Sequence, residues 1–356
     1  MGNGRRRLTI ILPVVWILLA TVHTTGCHRE NHPGTGRLDS PLLAGQDGFG
    51  NPDGVPVICY HYFRRNLDPG YLARVTGSLL FGLPALGDKE FWTLPAGEFE
   101  KHLRFFREHD ITVMTLDEVN ELNLSGRPLP DRAVVLTIDD AEASTYTIAY
   151  PLLHKYGLRA HLFVPTAEVG RPWSGLKMCT WDQLAEMEAS GTVILESHTN
   201  REHFKIRTPA GYEPVFWHPE DIPQEIILAN LRDMNSLGRE ISGLGDGQWD
   251  KARGGRFGPV TDDLLISRAR LLASAGADAR WLAWPYGYGN GDLDSVAAAV
   301  GFTGTVSLMP RTFGPQQGPW HVGRYVVTAK TTLDQIAALF PELADLPVTL
   351  ADNAHP

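Results

Sequence analysis

From Val55 onward, short apolar runs alternate with longer stretches of helical spacing. The apolar runs Val57–Tyr60, Thr112–Thr115, Ala133–Ile138, His161–Val164, Val193–Glu196, Trp281–Trp284, Gly304–Leu308 and Gly323–Val327 read as strands. Most are apolar at nearly every position rather than at every second one, as expected of strands covered on both faces of a parallel sheet. Helices are predicted between them over Ala96–His109, Ser144–Tyr156, Trp181–Ser190, Gln224–Ile241, Asp262–Ala275, Leu293–Val300 and Leu333–Phe340. Thr180 with Gln183, and Thr332 with Gln335, have the spacing of capping boxes, in which each end satisfies an unpaired backbone N–H. Repeated strand–helix units predict an α/β architecture, either a barrel or a doubly wound sheet. The segment from Phe204 to Pro259 breaks the rhythm; it is long and rich in Gly, Pro and Trp, and reads as an inserted subregion. No short-period internal repeat is present.

Composition narrows the classes. A chain of 356 residues with 43% hydrophobic and 21% charged residues can bury a substantial core. Its net charge of -9 argues against a nucleic-acid partner held by a basic surface. At the N-terminus, Arg5, Arg6 and Arg7 precede the apolar run Leu8 to Val22, the arrangement of an export signal. That run is short of the about 20 residues of a spanning helix. Thr24-Thr25-Gly26-Cys27 follows and resembles a bacterial lipoprotein cleavage site, with Thr24 where leucine is usual and Cys27 as the lipid-bearing residue. An ordinary signal peptide or an uncleaved anchor is the alternative. The expected organisation is a signal over residues 1–26, a Gly/Pro/Asn/Asp-rich tether over 27–54, one catalytic domain over 55–345 and a tail over 346–356. The expected location is the bacterial cell envelope, facing the periplasm or the exterior, with the membrane as a partner through the lipid. Cys59 and Cys179 do not make a disulfide framework and read as buried free thiols, with a single bridge left open.

Three segments carry candidate chemistry. The predicted strand Ala133–Ile138 runs into Asp139-Asp140, and in parallel α/β folds binding and catalytic groups collect at the carboxyl ends of strands. Taken alone, an aspartate there is as readily a helix N-cap. Strand Val193–Glu196 runs into Ser197-His198-Thr199-Asn200-Arg201-Glu202-His203. Histidines five apart lie about 140° apart on a helix and share no face, whereas a loop can fold both toward one point. With one aspartate they make a His, His, carboxylate set, and three protein ligands plus an open position is the arrangement of a hydrolytic zinc site. The third segment, Trp281 to Asn290, is a strand that breaks at Pro285 into an aromatic, glycine-rich turn. Aromatic faces suit sugar rings and exposed backbone N–H groups suit an oxyanion; an ordinary core strand with a Pro/Gly loop is the bland alternative.

At these residues the sequence resembles the NodB-homology polysaccharide deacetylases, carbohydrate esterase family 4. Leu136-Thr137-Ile138-Asp139-Asp140-Ala141 is similar to that family's first motif, Ser197 to His203 to its second, and Ala283 to Gly287 to its third. The Ala-Trp-Pro-Tyr-Gly form, the spacing of the histidines and Pro56 to His61 resemble the branch containing exported poly-β-1,6-N-acetylglucosamine deacetylases, some of them lipoproteins. The resemblance spans about Val55 to Val327. It implies a deformed (β/α) barrel and release of acetate from an N-acetylglucosamine polysaccharide, the expected partner. It also implies a divalent metal, zinc or another transition metal, held by Asp140, His198 and His203. By position, Asp139 is the base and Trp284 and Tyr286 shape the acetyl pocket, the Tyr286 N–H being a candidate oxyanion donor. His61 is a candidate substrate contact, as is Arg324. His321 is either the general acid or a surface histidine. Three departures stand out: Ala141 for glycine, Ile138 for an aromatic, and Ala283 where many relatives have an arginine that positions the base. Two further functions stay open: a catalytically impaired carbohydrate-binding lipoprotein, and a metal-dependent hydrolase of another acyl or amide substrate.

Overall fold

The computed structural model describes residues 54–66, 88–244, 249–315 and 317–343. The predicted signal, Cys27, all of the tether but Gly54, and the 346–356 tail lie outside the described residues. All eight predicted strands are present and form one parallel sheet. They are β1 (Val57–Tyr60), β2 (Thr112–Met114), β3 (Ala133–Asp139), β4 (Ala160–Val164), β5 (Val193–Ser197), β6 (Trp281–Ala283), β7 (Gly304–Val306) and β8 (Tyr325–Val326). The order is β7-β6-β5-β4-β3-β1-β8, and β2 shares an edge of β3 with β4. The ends of the sheet then meet: Val322, just before β8, donates to the Thr305 carbonyl and accepts from the Ser307 N–H. The sheet is therefore curled into a deformed barrel.

Alternation along each strand separates two cores. Ile58, Tyr60, Val134, Leu136 and Ile138 point outward into the main apolar cluster under the helices. Val57, Val135, Phe163, Trp281, Ala283 and Val306 point inward and fill the barrel. Ile138 is thus part of the helix-facing core, where its replacement of an aromatic alters packing only. The period of two puts Thr137 and Asp139 on the inward side of β3, so Asp139 opens into the barrel mouth.

The helices follow the predicted spans, with instructive differences. Both predicted capping boxes form, and a third, Thr115 with Glu118, starts a helix over Leu116–Ser125 that the apolar spacing had not signalled. The stretch predicted over Ser144–Tyr156 opens as a π-turn, Thr145–Ala149, before an α-helix over Tyr150–Tyr156. Pro151 has no N–H to donate back into the preceding turn, which favours the widened winding. The predicted Gln224–Ile241 helix is two, Gln224–Ser236 and Gly238–Gly243, broken at Leu237 beside a glycine, a poor helix former. The inserted subregion also contains an antiparallel hairpin, Lys205–Thr208 with Gly211–Pro214. Cys59 and Cys179 are buried and free. No helix among the described residues is long and apolar enough to cross a membrane.

His102, on the helix Ala96–Glu108, is buried with its Nδ1 3.2 Å from the Tyr60 hydroxyl. Burial pulls its pKa down to about 3, below the about 6.5 of a free imidazole. Between these values the unfolded chain binds a proton that the folded chain refuses, so stability is lost as pH falls from about 6.5 toward 3. Replacing His102 with Asn is expected to remove up to one proton from that dependence, about 1.4 kcal/mol per pH unit, in denaturant titrations across the window.

Candidate active site

Asp139 is fixed from inside the barrel. Arg324, which precedes β8, is 1% exposed and grips the Asp139 carboxylate with both ends of its guanidinium, at 2.7 and 2.8 Å. Its remaining donors reach the Ser307 carbonyl at 3.0 Å and the Thr137 hydroxyl at 3.2 Å. Burial acts to raise the Asp139 pKa, but the Arg324 guanidinium, with His198 and His61 behind it, wins and holds the carboxyl well below the usual carboxylate range. Arg324 is therefore no substrate contact, contrary to the expectation from sequence: it is sealed from solvent, and the hydrogen bonds it makes run to groups inside the barrel. It does the job that Ala283, lacking a guanidinium, leaves undone.

Asp140 turns the other way. Its φ is 73° and that of Ala141 is 53°, so the chain leaves β3 through two consecutive left-handed residues. This is the conformation that makes glycine the easy residue after the aspartates. Ala141 accepts the strain, about 1–2 kcal/mol, and its wholly buried methyl returns about 0.8 kcal/mol. The Tyr62 hydroxyl donates to Asp140 Oδ2 at 2.6 Å. Asp140 Oδ1 is buried with no hydrogen-bond partner and faces the two histidines.

Those histidines come from the loop after β5. Its backbone is held from behind by Asp263, which accepts from the Asn200 and Arg201 N–H groups at 2.7 and 2.9 Å. Arg201 pairs with Asp233 at 2.6 Å, on the inserted helix Gln224–Ser236. Thus fixed, the loop brings His198 Nε2 and His203 Nε2 to 3.1 Å from one another, and to 3.6 and 3.5 Å from Asp140 Oδ1. His198 Nδ1 lies 2.6 Å from the Ala283 carbonyl. A carbonyl only accepts, so that nitrogen carries the proton and Nε2 keeps its lone pair for a ligand. Burial, reinforced for His198 by its neighbour, lowers both imidazole pKa values to about 4, so both are neutral at pH 7.

The three atoms fit a metal ion. Donors about 2.0–2.2 Å from a tetrahedral ion are about 3.3–3.6 Å apart, against 3.1, 3.5 and 3.6 Å here. Two nitrogens and one oxygen suit zinc and its neighbours. An orphaned carboxylate oxygen aimed at two imidazole nitrogens is a buried polar group lacking only a cation.

A family model for polysaccharide deacetylases matches residues 126–305, half of the chain. The chain belongs to that family. It is also similar to a protein of Staphylococcus aureus named poly-beta-1,6-N-acetyl-D-glucosamine N-deacetylase, at 23% identity over 91% of this chain and 93% of that one. Among solved structures, IcaB from Ammonifex degensii aligns with TM-score 0.57 and 26% identity over 81% of this chain and 97% of its own. The deacetylase domain of BpsB from Bordetella bronchiseptica, at 24% identity and TM-score 0.53 over 78% and 97%, shares the fold.

The remaining sequence candidates divide. His61 continues the inward alternation of β1, and it lies with Cys59 and Asp139 in a group whose candidate ligand atoms are within 4.8 Å of one another. Tyr286, at φ 62°, packs its ring 4.9 Å from that of His203. Trp284 is fully buried; its ring lies tilted against that of Phe216 at 5.2 Å and its indole donates to Asp294, so it supports the turn from beneath. His321, partly exposed, is held through Nδ1 by Asp294 at 2.8 Å. Tyr62 and Asp294 escaped the sequence reading. Tyr62 acts from a short strand, Tyr62–Arg64, paired with Thr93–Pro95, a partnership no local spacing announces.

Tyr62→Phe keeps the ring and removes the hydroxyl that orients Asp140; competition with a chelator should show metal affinity reduced about 10–100-fold. Ala141→Gly should change unfolding free energy by less than about 1 kcal/mol, strain relief offsetting the lost methyl and added chain entropy. Ala141→Val, β-branched at positive φ, should cost more than about 2 kcal/mol.

Proposed function

We infer that the chain removes N-acetyl groups from an N-acetylglucosamine-containing polysaccharide, releasing acetate, with a divalent metal such as zinc held by Asp140, His198 and His203. The convergence of those three side chains beside a separately anchored Asp139 carries this reading, and the named activity of the S. aureus relative supports the substrate class. When bound, a divalent ion supplies Lewis acidity, making water more acidic and polarising a carbonyl oxygen. Asp139, ionised at any working pH, accepts the proton of the attacking water. Arg324 occupies one edge of its carboxylate and leaves lone pairs on the other. Tyr62 and the Ala283 carbonyl hold Asp140 and His198 in their ligating orientations. His321, oriented by Asp294, is assigned the proton for the departing amine. The basic and apolar N-terminus supports export, with Cys27 as the lipid-bearing residue of an envelope-anchored enzyme.

The test is acetate release from N-acetylglucosamine oligomers together with metal content per chain. Asp139→Asn is expected to keep its metal and lose at least about 100-fold in turnover, whereas His198→Ala loses both metal and activity. Undiminished turnover in Asp139→Asn removes Asp139 as the base. Glycan binding by the metal-loaded native protein without acetate release establishes the catalytically impaired reading instead.

A further inference from the structure

Beside the metal-ligand set stands a cation that no acid neutralises. The Lys205 Nζ lies 4.4 Å from the ring centroid of Tyr286 and 5.0 Å from that of Tyr288. Among the described residues no carboxylate is within ion-pair distance of it. In a chain of net charge -9 an unpaired ammonium at the mouth of a site is a local reversal of sign.

The rings beneath it form a row. Tyr286 packs 4.9 Å from His203, Tyr288 lies 6.4 Å beyond Tyr286, and Trp217 lies 5.5 Å beyond Tyr288. Trp217 is fixed by its Nε1, which donates to the Tyr288 carbonyl at 2.7 Å, and Tyr288 is 43% exposed. These ring-to-ring steps, 4.9 to 6.4 Å, are of the order of one pyranose in length. The row starts at a metal ligand and leads outward across the turn after β6 to the inserted subregion.

We propose that Lys205, Tyr286, Tyr288 and Trp217 form a sugar subsite adjoining the reaction centre that accepts an N-acetylated unit and repels a deacetylated one. This rests on the polysaccharide reading above. An acetamide is neutral, whereas the amine left by hydrolysis takes up a proton, so a unit deacetylated in an earlier turnover is disfavoured when it lies beside Lys205. The aromatic faces bind either sugar; the ammonium tells them apart. The enzyme then works preferentially where the neighbouring unit on this side still carries its acetyl group.

The experiment is calorimetric titration of metal-loaded Asp139→Asn protein, which holds ligand without turnover, with β-1,6-linked N-acetylglucosamine pentamer and the matching glucosamine pentamer. The acetylated pentamer should bind more tightly. Adding Lys205→Met should narrow the ratio by roughly 3- to 50-fold, the range for like charges about 7 Å apart between water-like and surface-like dielectrics. The change should come from tighter binding of the glucosamine pentamer. Lys205→Arg should keep the discrimination, and raised salt should weaken it in the parent but not in Lys205→Met. An unchanged ratio in Lys205→Met, a ratio narrowed only through loss of the acetylated pentamer, or a parent that favours the glucosamine pentamer or binds neither overturns the proposal. Failure of the native protein to release acetate sinks the deacetylase reading itself, a separate result from a separate assay.

Discussion

A guanidinium sealed inside a barrel holds this structure together. Arg324 reaches Asp139 across 185 residues of sequence, and its other donors end on the Ser307 carbonyl beside β7 and on Thr137 of β3. The same side chain that orients a carboxylate at the mouth therefore bridges the two ends of the curled sheet. Such a pair is a weak source of net stability, because both charges were better solvated outside. Breaking it is another matter: either partner left alone is a buried, unanswered charge, costing about 3–5 kcal/mol. Barrel closure and the placement of Asp139 are thus one event.

From that pair the division of labour between two adjacent aspartates follows. Asp139 is the last inward residue of its strand and looks into the barrel toward Arg324. Asp140, one residue on and at positive φ, leaves the strand and looks toward the histidine loop. Two neighbouring carboxylates are kept apart by pointing them at different partners: a fixed guanidinium for Asp139, the two imidazoles of the candidate metal set for Asp140. The inserted subregion completes the arrangement from both sides. It supplies Asp233 and Asn230 behind the histidine loop, and Lys205 and Trp217 at the mouth.

Much of this was legible in the chain. The eight strands could be read because both faces of each are covered, which leaves an uninterrupted apolar run, and the convergence of Asp140, His198 and His203 could be read because they sit at strand ends in a recognisable motif. What the sequence concealed was long-range partnership. Arg324 stood among the substrate contacts through the resemblance of its segment to a family motif; only the closed barrel shows that it is sealed inside and bound to Asp139. Trp284 looked like a pocket wall because aromatic turns often are; its indole faces Asp294 and Phe216 instead. Tyr62 was silent because its role depends on a three-residue parallel pairing with a distant segment. The helix Leu116–Ser125 was missed although its capping box was present, its apolar spacing being weak.

Seven non-glycine residues among those described have positive φ, and five of them, Asp140, Ala141, Thr199, Tyr286 and His321, lie in the loops that build the site. Elsewhere such a position drifts to glycine at little loss, since glycine alone is unstrained there. Here that exchange carries a loss at Asp140 and His321, whose side chains face the two histidines and Asp294 from strained backbone. Substitutions at these positions are filtered twice, once by handedness and once by chemistry. Ala141 differs from them: its buried methyl at positive φ gives up only strain and packing on exchange for glycine.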